Sequence, residues 1–434
     1  MTARTYLRID LEVVSPVVVG AWQDVADAGA GRRRVSVAKD RAGRPVIPAS
    51  GLAGSLRDHL RQVAAGTLTR LLGPEPPSGP GSLLAASTLA FMGTVLPADR
   101  WTLTTTARTA IDPWRRAARA GSFRDHEQAR PVGPGPHLQL YCRLDGRGDD
   151  PGAHSRLRDV LLDALPGWQP RLGGQRTNGA GRARVTSLRW RTFDLSRGSD
   201  LEEIALGAGE GPARVDAWLA RGERRTGPAV PDEPVLEVTF GLPDGLLVPD
   251  GGEGGQHDGS GWKGVLRSRV AFVARTVGRS ACTVQHGCGQ CDVCAVFGSF
   301  ERRGLLVFSA SPLQGARHQR SRQRVAIDRW QGGALDRHLF TETTVHGAAV
   351  TVRIEALAPL PDWLVRALLL AVRDLADGLI GIGGGGSGGL GRCELAGPVR
   401  LSATLAEQMK LSGRDGRQRL HLHADDLAAM RLEA

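Results

Sequence analysis

An α+β fold in two tandem copies is predicted by three observations. Strand-like alternation and helix-like apolar stripes follow one another in the same order twice along the 434 residues. Each pass closes on a glycine-dense loop, LGGQRTNGAGRARV in the first and GLIGIGGGGSGGLGR in the second. Local strings also recur at a constant offset, with Gly174 and Gly384, and Arg182 and Arg392, each 210 residues apart. Unrelated domains would not share ordered landmarks of this kind, so the chain reads as an internal duplication.

The first copy is expected over residues 1–190. Residues 6–14 alternate apolar and polar, as a half-buried strand does. After a Gly-, Asp- and Arg-rich loop, Leu52, Leu56, Leu60 and Val63 fall on one helical face, and Ser50 is a candidate N-cap. Residues 83–91 and 137–144 read as strands, separated by a long polar excursion. A helix over 154–165 is stopped by Pro166-Gly167, and a strand near 183–190 closes the copy. Residues 191–233, rich in Gly, Glu and Arg, read as a connector. The second copy, 234–434, repeats the order: strand 235–241, helix 261–277, strand 304–310, excursion, strand 348–356, helix 362–377, glycine loop, strand 392–401. Strand, helix, strand, strand, helix, strand is the split βαβ, or ferredoxin-like, arrangement.

Composition narrows the partner. Hydrophobic content of 41% is that of a globular protein. No run approaches the length of a membrane span, and the N-terminal stretch lacks an apolar signal-peptide core, so a cytoplasmic protein without a membrane partner is expected. The net charge of +11 points to an anionic partner, although Lys is confined to Lys39, Lys263 and Lys410, and Arg enrichment also follows from genome composition. Glycine-dense loops leave rows of amides uncovered, which suits a phosphate backbone. They lack the Lys-[Ser/Thr] of a nucleotide-binding P-loop.

Four cysteines, Cys282, Cys288, Cys291 and Cys294, cluster in a loop over 282–294 that has no counterpart in copy one. Soft ligands this close suit a tetrahedral, structural Zn²⁺, with His286 inside the span as a substitute ligand. Cys142 and Cys393 stand alone and read as strand core.

The strings IPASGLAGSLR, GSGWKGVLRSR, AIDRWQGGALDRHLFTET and IGGGGSGGLGR resemble signatures of the RAMP superfamily, the backbone subunits of type III CRISPR effector complexes. A two-copy chain resembles the fused double backbone subunit of some type III-D systems. The resemblance implies two RRM-like cores that pack along a guide crRNA beside other effector subunits, each with a β-hairpin thumb that kinks the guide. Residue chemistry agrees with that role. Ser50, Arg57, Lys263 and Arg267 stand at the first helix of each copy, where free amides and the helix dipole favour a phosphate. Gly174, Arg176 and Arg182, and Gly384, Ser387 and Arg392, belong to the glycine loops. Trp114 and Arg115 in one thumb, and Arg324, Arg329 and Trp330 in the other, mix cations with an aromatic, as a splayed base requires. The tryptophans read equally as core residues, and the arginines as solvated charges.

Some members of the superfamily cleave the bound target RNA with one Asp in the loop before the first helix, in a pattern like D-S-P-V-I-x-D. In copy two the string from Asp244 to Asp250 fits, which makes Asp244 the candidate and Mg²⁺ or Mn²⁺ the implied cofactor. Arg34 occupies the equivalent place in copy one, leaving Asp24 and Asp27 as candidates there. Pro-Asp-Gly is also a turn signal, which slightly favours reading Asp244 as a turn residue. A non-catalytic scaffold and a stand-alone crRNA-processing endoribonuclease remain open beside target cleavage. The latter needs a general acid and base, and His59, His286 and His318 show no evident partner in the sequence.

Overall fold

A computed structural model describes residues 3–20, 25–27, 32–74, 86–92, 94–112, 117–119, 121–146, 152–207, 209–228, 234–248, 255–283, 287–410, 421–423 and 425–426. The chain divides into two compact units. Unit 1 comprises Met1–Thr109, Ala120–Arg176 and Ala180–Pro231, and unit 2 comprises Ala110–Arg119, Thr177–Gly179 and Asp232–Ala434.

Unit 1 is built on a five-stranded antiparallel sheet. Its order across the sheet is Glu223–Thr226, Ala183–Asp194, Ala3–Val13, Leu138–Asp145, Leu89–Phe91. Side chains alternate between faces along a strand, so Leu7, Ile9 and Leu11 point the same way as Leu140, Cys142, Leu144, Leu188 and Trp190. That face buries helices Ala49–Val63 and Ala153–Ala164 through Leu52, Leu56, Leu60, Leu157 and Leu161. Val63, expected on the same stripe, is exposed, whereas Leu60 one turn earlier is fully buried. Ser50 is not the N-cap. Pro48 takes that position in an extended conformation, and Ser50 lies exposed inside the first turn.

The stretch expected as a connector is part of the unit. Its helices, Gly198–Leu206 and Gly211–Leu219, lead to the edge strand Glu223–Thr226. Val215, Trp218 and Leu219 cover the opposite face of the sheet, packing on Tyr6, Tyr141 and Phe193. Without them three aromatic rings on that face would stand in water, each worth about 1.5–3 kcal/mol of burial.

Unit 2 repeats the plan. Its sheet runs Leu306–Phe308, Ala348–Ala356, Leu236–Leu242, Val399–Leu401, His421–Leu422, with neighbours antiparallel and Glu394–Leu395 also paired to Leu236–Leu242. The expected single strand over 392–401 is split because Gly397-Pro398 interrupts it, and proline has no N–H for the ladder. Helices Gly259–Thr276 and Asp362–Ala376 cover one face with Trp262, Leu266, Val270, Leu364, Leu368 and Leu375. Between the second and third strands a long hairpin, His318–Ile327 with Ala334–His346, extends from the unit. In unit 1 the corresponding excursion pairs Trp101–Arg108 with Arg124–Pro131. Among the described residues, no helix is long and apolar enough to cross a membrane.

Candidate nucleic-acid interface and metal centre

The two glycine loops adopt one backbone conformation. A short 3-10 turn spans Arg176–Asn178 in the first and Gly386–Gly388 in the second. Left-handed residues fall at matching places: Gly173, Gln175, Gly179 and Gly181 in one loop, Gly383, Gly385, Gly389 and Gly391 in the other. Leu172 N donates to Gly181 O at 2.7 Å, and Ile382 N to Gly391 O at 2.9 Å. A Cβ on Gly181 or Gly391 would meet a backbone oxygen at 1.9 Å in either case, so the closure of each loop requires glycine. The loops differ in what lies over them. In copy one Gly174 N donates to Val18 O at 2.6 Å. In copy two Gly383 through Gly389 are exposed, and the amides of Gly383, Gly384 and Gly385 make no backbone hydrogen bond among the described residues. Ser387 belongs to this exposed turn. Arg176 is folded back, donating through Nε to Gly173 O at 2.8 Å, and the Arg182 amide donates to Ser15 Oγ at 2.8 Å.

Asp244 lies in the turn that joins Leu236–Leu242 to the strand Leu246–Val248. The glycine loop packs on this segment: Gly391 N donates to Gly245 O at 2.9 Å, and Leu246 and Leu247 lie under Gly383 and Gly384. Arg392 closes the contact with Nε 2.9 Å from Asp244 Oδ2, while its Nη2 reaches Glu394 Oε1 at 2.6 Å. Asp244 is therefore half-exposed and already holds a guanidinium, which is the environment of a paired turn residue. On the other side Leu246–Val248 pairs with the base of the hairpin, Leu246 opposite Val345. Two histidines meet there. His318 and His346 are register partners across the hairpin, and their rings stack with centroids 5.2 Å apart and planes 4° apart. His346 Nε2 lies 2.9 Å from Thr344 Oγ1. His346 was invisible as a partner in sequence because 27 residues separate it from His318; only the hairpin register brings them together.

The hairpin itself is exposed along most of its length. Trp330 is 89% exposed, so of its two readings the core one is excluded. Asp328 Oδ1 accepts from the amides of Trp330 and Gln331, which sets the tip on which Arg329 stands. Arg324 pairs with Glu342. Trp114, Arg115, Asp24 and His286 lie outside the described residues, and Asp27 ends the strand Val25–Asp27, whose side chains are likewise outside them.

Two arginines expected on a phosphate do something else. Arg57 donates from Nη2 to Leu72 O at 2.6 Å and from Nη1 to Gly73 O at 3.0 Å, holding the C-terminal carbonyls of helix Ala65–Leu72. Arg267 donates from Nη1 to Gly298 O at 2.6 Å, at the end of helix Asp292–Phe297. Gly73 and Gly298 share a left-handed φ, of 75° and 86°, so the two arginines occupy one structural place in the two copies. A guanidinium fits there because the last carbonyls of a helix lack partners and carry the negative end of its dipole. Lys263 is also engaged: Nζ donates to Thr177 Oγ1 at 2.9 Å, and burial, with Arg267 nearby, pulls its ammonium down to about 8.

Arg267 also leads to the cysteines, with Nη2 3.3 Å from Cys294 Sγ. The four sulfurs of Cys282, Cys288, Cys291 and Cys294 all lie within 4.8 Å of one another. Tetrahedral Zn–S bonds of about 2.3 Å would place them about 3.8 Å apart. Backbone amides point at them: Cys291 N to Cys288 Sγ at 3.2 Å, and Cys294 N to Cys291 Sγ at 3.4 Å. The amides of Gln290 and Cys291 draw the exposed Cys288 down to about 6. Burial favours the thiol of Cys294, yet the Gly289 amide, the neighbouring sulfurs and Arg267 lower it overall. Burial holds Cys282 up at about 12, so a bound metal would displace its proton. The donor set, four sulfurs with amides aimed at thiolates, fits a closed thiolate site. Cys142 is buried in the strand Leu138–Asp145, and Cys393 is buried just before the strand Glu394–Leu395.

The RAMP superfamily model matches the chain over residues 10–184 and again over 258–394, most of its length and once in each copy. No curated protein matches it.

Proposed function

As the chain belongs to the RAMP superfamily, which is associated with CRISPR type III complexes, we propose that it is a guide-crRNA-binding backbone subunit of such a complex, carrying two fused ferredoxin-like domains. A two-copy chain of this kind resembles the fused double backbone subunit of some type III-D systems. The observation that carries the reading is the glycine loop built twice to one backbone plan, in copy two with exposed glycines whose amides make no backbone hydrogen bond among the described residues, together with an exposed hairpin bearing Arg320, Arg322, Arg329 and Trp330. Amides in a row take phosphate oxygens, and an exposed indole among cations takes an unstacked base. The ferredoxin-like assignment is supported by the strand order, in which the fourth strand, then the first, third and second lie side by side in both units. A structural Zn²⁺ is supported by the thiolate set and by its place at a helix end that copy one closes without cysteines.

Target RNA is the second partner, and its cleavage at copy two is the activity the Asp244 pattern supports, with Mg²⁺ or Mn²⁺ as the metal. The pairing of Asp244 with Arg392 favours the second reading, a scaffold that binds guide and target without cutting. Photo-crosslinking of bound RNA followed by peptide mapping tests the interface: adducts are expected on the hairpin 318–346 and the loop 383–392. Adducts confined to other surfaces would overturn it. Asp244→Ala separates the two readings, since one band vanishes from a ladder of target fragments if Asp244 cuts and the ladder is unchanged if it does not.

A further inference from the structure

We propose that Arg189 and Arg224, on the outer face of the unit 1 sheet, form a binding site for a phosphoryl group. The site goes beyond the guide-RNA reading, since it contains no residue of the glycine loops or of the hairpins. The two arginines are register partners on neighbouring antiparallel strands, Ala183–Asp194 and the edge strand Glu223–Thr226. Leu188 and Trp190, on either side of Arg189, belong to the helix-covered core, so Arg189 and its partner stand on the opposite face. Arg8, paired with Arg189 from the other side, shares that face and reaches Asp216 of helix Gly211–Leu219.

Charge is balanced everywhere on these strands except at this pair. Every other arginine in the five strands holds a carboxylate: Arg4 and Arg143 share Asp145, Arg8 takes Asp10 and Asp216, Arg184 takes Glu12, Arg191 takes Glu203 and Arg225 takes Asp163. Arg189 and Arg224 make no side-chain hydrogen bond or ion pair among the described residues. Arg189 is half-buried, and its Nε–H is shut off from solvent without an acceptor. A buried donor left unmade is costly, most of all on a charged group. Like charges directly opposite on neighbouring strands, with Cβ atoms about 4.5–5.5 Å apart, also repel each other.

An anion between the two guanidiniums removes both penalties. A phosphoryl group suits the place better than a carboxylate, because its tetrahedral oxygens can face two planar forks at once. Thr226, two residues beyond Arg224 on the same face, adds a hydroxyl, and the edge strand is exposed throughout, so a ligand has open approach. The phosphoryl group belongs to a nucleic-acid strand or to a free nucleotide or polyphosphate. The chemistry recognised is the same, and the experiment separates the two sources.

The test uses the full chain after nuclease treatment, with inorganic pyrophosphate and an oligouridine as probes. Pyrophosphate is expected to raise the unit 1 unfolding midpoint of the native chain. Arg189→Gln and Arg224→Gln should each weaken its binding by about 10–100-fold, as the loss of a hydrogen bond to a charged group does. Arg224→Lys keeps the charge without the fork and should fall between the native chain and Arg224→Gln. Without ligand, both glutamine variants should unfold at or above the native midpoint, because each removes an unpaired, repelling guanidinium; an arginine needed for the fold would lower it. Displacement of pyrophosphate by the oligouridine assigns the site to a nucleic-acid strand, and retention of pyrophosphate assigns it to a free phosphoryl compound. Binding of native strength in both glutamine variants, no midpoint shift with pyrophosphate, or a lowered midpoint without ligand would overturn the proposal, and each would leave the guide-RNA reading standing.

Discussion

Replacing Arg267 by Met separates a structural arginine from a phosphate-binding one. The substitution keeps the apolar stem and removes two donors, one to Gly298 O at 2.6 Å and one to Cys294 Sγ at 3.3 Å. A hydrogen bond from a charged group contributes about 1.5–3 kcal/mol, and the sulfur acceptor and partial exposure put the second bond at or below the low end. Together they amount to about 2–4 kcal/mol of unit 2 stability. In a unit of this size each kcal/mol moves the midpoint by about 2–4 °C, so calorimetry should show the unit 2 transition shifted down by roughly 5–15 °C. Metal should also leave the cysteine site faster, because Cys294 loses a cation beside its thiolate. RNA affinity is the discriminating measurement. A lost phosphate contact would flatten the slope of log affinity against log salt by about 0.7 for a single strand, whereas a helix-end arginine leaves that slope unchanged. A variant of native stability with a flattened salt slope would refute the structural assignment.

The equivalent bonds of Arg57 predict the same pattern for Arg57→Met in unit 1, without any effect on metal content. Gly391→Ala should cost more than about 2 kcal/mol, from its left-handed φ alone and from the oxygen 1.9 Å from the new Cβ, whereas Gly386→Ala, which meets nothing within 4 Å, should be near neutral; urea midpoints compare the two. Elemental analysis should find one equivalent of zinc per chain, lost in Cys291→Ser together with the stability of unit 2 and not of unit 1. Burial against Trp262 pulls His257 from the ordinary 6.5 to about 4. The neutral ring belongs to the folded state, so its stability is full above about 6.5 and is lost as the pH falls toward 4, by about 3 kcal/mol in total. His257→Phe should remove that part of the pH dependence, and identical slopes for variant and native chain between pH 6.5 and 4.5 would contradict it.

Much of the fold was legible because short-range periodicity reports burial. Leu52, Leu56 and Leu60, or Leu266 and Val270, mark one helical face whatever lies beyond it, and two copies of the pattern reinforce each other. The glycine loops were legible for a sharper reason: left-handed residues closed on a carbonyl tolerate no other side chain, so their spacing survives in the sequence. What escaped depends on contacts between distant residues. Trp218 looks like part of a polar connector until Tyr6, Tyr141 and Phe193 are seen to need cover. Arg57 and Arg267 look like surface charges near a helix start, because nothing local shows that Gly73 and Gly298 bring helix-end carbonyls to them. The helix begins at Ala49, one residue earlier than a Ser50 cap requires, so Pro48 stands at the cap and Ser50 falls inside the first turn. The pairing of Asp244 with Arg392, and of His318 with His346, is a property of the turn and of the hairpin register, neither of which periodicity encodes.

The central claim is that a doubled sheet-and-helix unit holds a guide RNA, and the RNA carried by the protein from its native host tests it most directly. Sequencing of that RNA should return short species of uniform length that share one 5′ segment and differ in the remainder. A preparation free of RNA, or one carrying fragments of random length with no common end, would contradict the account.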